Sequence, residues 1–153
     1  MSIIEFIKRN WLAIAISGII PGLVFALLFK TIETVTGAKV YTLLLNVDYI
    51  PFFKNYTYPE SIEVLFHLII SVILTACLFL LFEKLRVTSR KSIIKYAIFI
   101  NLAIGLFIYP TTRFSERTPE ITDFTSLFYW LIGHFVYGYL LGLFIYKTKS
   151  SKR

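Results

Sequence analysis

Hydrophobic positions fall into four long runs separated by polar gaps. Trp11–Phe29, Val64–Phe82 and Phe124–Tyr146 each continue for about 19–23 residues without a charge, enough for a helix to cross a hydrocarbon core of about 30 Å. A fourth run, Ile93–Tyr109, is shorter and carries Lys95 near one end. The pattern predicts an all-α, polytopic four-helix transmembrane bundle forming a single domain over residues 1–153. Spans are expected at about 11–30, 60–83, 92–110 and 124–146, with an outer segment at 31–59. The run after Lys8 and Arg9 is longer than a signal-peptide core and ends in Lys30-Thr-Ile-Glu33, so it is expected to be retained as the first span.

Charge orients this pattern. With the gaps taken in alternation, one side receives eleven Lys and Arg against Glu5 and Glu83, a net +9. The other receives Lys30, Lys39, Lys54, Arg113 and Arg117 against seven acids, a net −2. Cytoplasmic flanks carry the excess of Lys and Arg, so both termini are expected on the cytoplasmic side of a cell (inner) membrane. The same count favours a third crossing by the short run, since without it the basic Lys147–Arg153 tail would lie outside.

Composition agrees. The chain is 57% hydrophobic and 16% charged, against about 25% charged for an ordinary soluble domain. Four spans leave too few residues for a separate soluble catalytic domain. The overall charge of +7 is dispersed beside the membrane. It is better matched to orientation and anionic lipid headgroups than to nucleic acid. Cys77 is the sole cysteine, so no internal disulfide can form.

Between and within the spans, local signals recur. Trp11 suits the inner headgroup level. Pro21 should kink the first span, and Gly18 with Gly22 forms a small-xxx-small pair for close helix approach. In the outer segment Gly37 suggests a break. Val40, Leu43, Leu44 and Val47 then recur at helical spacing, predicting an interfacial or re-entrant helix over Val40–Ile50. Pro51 would end it, and Phe52, Phe53, Tyr56 and Tyr58 would supply an aromatic belt. Asn55-Tyr-Thr57 matches a glycosylation sequon but lies close to the membrane. Thr57-Tyr-Pro59-Glu60 reads as a capping box for the second span. Pro110 closes the third span, and Asp123 is a natural N-cap for the fourth.

Polar residues inside the spans are the candidate site. Glu63, His67, Ser71 and Thr75 follow at four-residue intervals and must face protein or water. Asn101 and Gly105 share a face of the third span. In the fourth, His134 and Tyr137 accompany a second small-xxx-small pair, Gly138 and Gly142. At about 1.5 Å per residue, His134 and Asn101 are expected at similar depth, within reach of a hydrogen bond. His67 is offset from His134 by roughly 7 Å, which weakens a shared haem. The ligand count for zinc is lacking, and no cofactor or metal is expected. The proposed interior therefore comprises Glu63, His67, Ser71, Thr75, Asn101, His134 and Tyr137.

No glycine-rich phosphate loop, HExxH, GxSxG or paired-carboxylate motif occurs. The pattern His134-x-x-Tyr137-Gly138-x-x-x-Gly142, with Tyr109-Pro110, Arg113 and Asp123 before it, resembles the last helix of the YagU-like and YqhR-like groups of small bacterial membrane proteins. The resemblance spans roughly the last 45 residues of the chain; it implies four helices and a bacterial inner membrane, and no activity. The expectation is a non-enzymatic protein acting through helix packing, as a homo-oligomer or an accessory subunit to a membrane partner. The alternatives are a small transporter or channel using the polar faces and, less favoured, a haem-binding redox subunit.

Overall fold

The computed structural model describes residues 3–47 and 58–150. Five α-helices occur there: α1 (Ile3–Thr36), α2 (Val40–Leu45), α3 (Glu60–Lys84), α4 (Arg90–Ile108) and α5 (Phe124–Ser150), with a 3₁₀ turn at Tyr109–Phe114 between the last two. Four helical segments, Ile7–Thr36, Glu60–Lys84, Arg90–Phe114 and Phe124–Ser150, are long and apolar enough to cross a membrane. They coincide with the four hydrophobic runs.

Helix ends follow from local chemistry. α1 continues unbroken through the buried Pro21 and runs six residues past the expected end at Lys30. Gly37 stops it: its φ is +75°, and its N–H donates to the Glu33 carbonyl at 2.8 Å, a left-handed C-cap natural to glycine. The capping box expected before α3 is not what starts that helix. Its N-cap is Pro59, with no side-chain hydrogen bond, and Thr57 lies outside the described residues. Asp123 does cap α5. Its Oδ1 accepts from the Ser126 N–H at 3.0 Å and its Oδ2 from Ser126 Oγ at 2.6 Å, bonds that hold the carboxyl below its ordinary pKa.

The predicted outer helix begins at Val40 as expected but is shorter than Val40–Ile50. α2 ends at Leu45, with Asn46 extended at its C-cap. Val40, Leu43, Leu45 and Val47 are buried, packed on α1, α3 and α5, so the apolar face meets protein. Glu33, near the end of α1, anchors it. Its carboxylate accepts from the Tyr41 and Thr42 N–H groups at 2.7 and 2.9 Å and from Thr42 Oγ1 at 2.7 Å. The positive helix start favours that charge. Tyr41 donates on to Glu60 at 2.8 Å; partial burial, then this bond, raise its hydroxyl well above the ordinary tyrosine pKa. Pro51, Phe52, Phe53, Tyr56 and the sequon lie outside the described residues, whereas Tyr58 stands edge-on to Phe66 at 5.5 Å.

The helices do not form an even ring. α1 packs on α3 and α5, and α5 packs on α4, while α3 and α4 make few direct contacts although five residues join them. The loop over 115–123 compensates. Arg117 Nη1 reaches across to Glu63 Oε1 at 3.1 Å, tying the α4–α5 hairpin to the start of α3. Tyr109 fastens the loop below, its hydroxyl donating to the Asp123 carbonyl at 2.7 Å.

Candidate functional site

Glycines set the distances at which the site is built. A Cβ on Gly18 would meet the Val72 backbone at 2.8 Å, so α1 and α3 touch there nearly main chain to main chain. Gly22 lies over Leu68 and Ser71 in the next turn. Gly138 and Gly142 do the same on the other flank, against the Cα atoms of Ile98 and Ile94, each 2.8 Å from the added Cβ. Both small-xxx-small pairs thus serve contacts within the chain.

Close approach of α1 to α3 lets Ser71 reach the α1 backbone. Ser71 Oγ donates to the Gly18 carbonyl at 2.7 Å and lies 2.6 Å from Tyr137 Oη. A serine hydroxyl has one proton; with it given to Gly18, Tyr137 is the donor to Ser71. One relay therefore crosses three helices, from α5 through α3 to α1. Thr75 donates to the Ser71 carbonyl at 2.7 Å, turning its hydroxyl back onto its own helix.

Aromatic rings fill the space above. Tyr137 stacks on Phe25 with centroids 4.8 Å apart and planes 14° apart. Phe25 also contacts Phe29 at 4.5 Å, His134 edge-on at 5.1 Å and His67 at 5.6 Å. Phe29 stacks on Trp130 at 5.3 Å and presses against Gly133, where a Cβ would overlap its ring. Phe25 and Phe29 were not among the sequence-predicted site residues. Their spacing of four in an apolar helix is an ordinary core signal, and only the facing glycine shows why large rings fit there.

The α4–α5 seam holds a second polar group. Trp130 Nε1 donates to the Gly105 carbonyl at 2.9 Å, while His134 Nδ1 lies 3.0 Å from the Trp130 carbonyl. A carbonyl only accepts, so His134 carries a proton on Nδ1. The imidazole sits directly on Gly105, where a Cβ would come within 2.7 Å of its Cγ. The expected His134–Asn101 hydrogen bond is not formed. Asn101 lies one turn away against Gly138, and its Nδ2 donates to the Ala97 carbonyl at 2.8 Å. Each side chain bonds a carbonyl four residues earlier in its own helix.

The candidate residues accordingly occupy two seams. His67, Ser71, Thr75 and Tyr137 line α1/α3/α5, with Glu63 in the first turn of α3 paired to Arg117. Asn101 lies in the α4/α5 seam, and His134 borders both. α1, absent from the expected polar convergence, supplies its centre through Gly18 and Phe25. Two interior atoms, His67 Nε2 and Asn101 Oδ1, have no hydrogen-bond partner among the described residues. Among those residues no group of three or more His, Cys, Asp and Glu is placed to hold a metal.

No family model matches this chain, and no curated protein or solved structure is significantly similar to it.

Proposed function

We propose that this chain is a four-pass integral membrane protein with both termini cytoplasmic. In this reading it performs no chemistry of its own and acts as a subunit against another membrane protein or against copies of itself. The supporting observation is inverted polarity. Ser17, Ser71, Thr75, Asn101, Ser126 and His134 are at most 5% exposed, whereas Leu27, Ile73, Phe99 and Phe107 are 57–80% exposed. In water such a belt would drive aggregation; in lipid it is the ordinary exterior, with polar groups satisfied inside. The interior polar groups bond mainly to helix backbones, which supports a structural use for them. The YagU-like and YqhR-like resemblance adds only the expectation of a bacterial inner membrane.

The glycine pairs are occupied within the chain, so a partner helix would instead meet an exposed aliphatic ridge such as Leu12, Ile16, Ile19, Leu23 and Leu27 on α1. Alkaline extraction of native membranes and a reporter fused after Arg153 test residence and orientation. Cross-linking and co-purification test the partner. Release at high pH would remove the membrane reading, and monomers without a companion would remove the subunit reading.

One observation favours a transporter instead: Glu63, His67, Ser71 and Thr75 all turn inward along α3, and His67 Nε2 has no partner among the described residues. Proteoliposome flux sensitive to Glu63→Gln or His134→Ala would replace the subunit reading with this one.

A further inference from the structure

We propose that the cytoplasmic end of α4 is a binding site for one anionic phospholipid. The inference rests on the membrane reading above. Arg90, Lys91, Ile94, Lys95 and Ile98 line a hollow of about 540 Å³. Residues 90, 94 and 98 follow one ridge of the helix, and 91 and 95 the adjacent one. Three cations therefore stand within the first two turns, and two isoleucines continue the groove toward the middle of the span.

Three other cations are neutralised locally. Lys30, Arg117 and Lys149 each meet a carboxylate, from Glu60, Glu63 and Glu83, at 2.6, 3.1 and 2.8 Å. Arg90, Lys91 and Lys95 have no such partner among the described residues, and no acid lines the hollow. Their charge is available. The start of α4 adds to it, because the first-turn N–H groups have no helical acceptor and carry partial positive charge. The groove is also held rigidly, since the Cα atoms of Ile94 and Ile98 rest on Gly142 and Gly138.

The occupant must bring a negative headgroup and an apolar tail along one line normal to the membrane. An anionic phospholipid does both: its phosphate meets Arg90, Lys91 and Lys95, and an acyl chain lies over the half-exposed Ile94 and Ile98. Free phosphate makes no use of the isoleucines. A zwitterionic lipid brings its own cation against three others.

The test is lipid retention by the purified full chain in detergent, read by native mass spectrometry after mixing with phosphatidylglycerol or phosphatidylcholine. Wild type should retain one phosphatidylglycerol in preference to phosphatidylcholine. Each charge removed by Arg90→Gln, Lys91→Gln or Lys95→Gln should weaken retention about fivefold. Lys8→Gln, Arg9→Gln and Lys147→Gln remove equal charge from the same end outside the groove and should change it little. Equal loss in both sets, equal retention of the two lipids, or displacement by millimolar inorganic phosphate would each overturn the proposal. Helical circular dichroism confirms that the variants are folded. Alkaline extraction reports separately on the membrane reading, so failure of one is distinguishable from failure of the other.

Discussion

The Tyr137 hydroxyl donates to Ser71 Oγ at 2.6 Å, and Ser71 Oγ in turn donates to the Gly18 carbonyl at 2.7 Å. Three helices meet at this one hydroxyl, so its two neighbours are energetically coupled. Tyr137→Phe removes a donor but leaves Ser71 bonded to Gly18. It should lower stability by about 0.5–1.5 kcal/mol, the range of a single interhelical hydrogen bond. Ser71→Ala strands the Tyr137 hydroxyl in the core and should destabilise more, by about 1–3 kcal/mol. The double variant should fall short of the sum of the two. Denaturant unfolding in micelles measures all three, and strict additivity would show that the relay is not a unit.

Gly105 and His134 are matched in shape. An alanine methyl at 105 would sit 2.7 Å from the imidazole Cγ, and the ring is held by Trp130 behind it. Gly105→Ala should therefore cost about 1–3 kcal/mol, as overpacking does. Adding His134→Ala removes the obstructing ring and should return part of that loss, although His134→Ala alone leaves a cavity. Thermal unfolding of the two single variants and the pair decides this. A pair no more stable than Gly105→Ala alone would show that the clash lies elsewhere.

The four long helices were legible because an apolar helix needs an unbroken apolar run, and that run is written residue by residue between Trp11 and Tyr146. The cap at Asp123 and the stop at Gly37 were legible for the same reason: each depends on a few adjacent residues. The pairing of helices was not. Gly18 and Gly138 announce close contacts without saying with which helix, and both contacts proved internal. In sequence Arg117 stands among Glu116, Glu120 and Asp123, and nothing local points to another partner. Its pairing with Glu63, far away in sequence, depends on how the loop between α4 and α5 folds over. The His134–Asn101 expectation used depth alone, and depth does not fix the direction a side chain takes around its helix.

Asp123 makes the start of α5 sensitive to acid. Its bonds to Ser126 hold its carboxyl below the ordinary value of 3.8 in the folded chain. A depressed folded-state pKa means that the carboxylate's contribution is complete above the unfolded value and is lost as pH falls through the folded one. At neutral pH, Asp123→Ala should therefore lower stability by about 1 kcal/mol, as for other N-caps. The gap between wild type and variant should close below about pH 3.8. A gap independent of pH would mean that the cap works without its charge.

Arg86 offers a gain in stability. It has φ of +52° at the end of α3, where its N–H donates to the Glu83 carbonyl at 3.1 Å and that of Val87 to the Phe82 carbonyl at 2.9 Å. This is the paired closure of a helix that normally carries glycine at the left-handed position. An L side chain there is strained by about 1–2 kcal/mol, and glycine relieves the strain while losing more freedom on folding. Arg86→Gly should therefore stabilise the chain by up to about 1 kcal/mol. Arg86→Ala keeps a Cβ and should bring no comparable gain, which separates backbone strain from the removal of charge. Equal stabilisation by glycine and alanine would place the effect in the charge, and the left-handed backbone would then not be the cause.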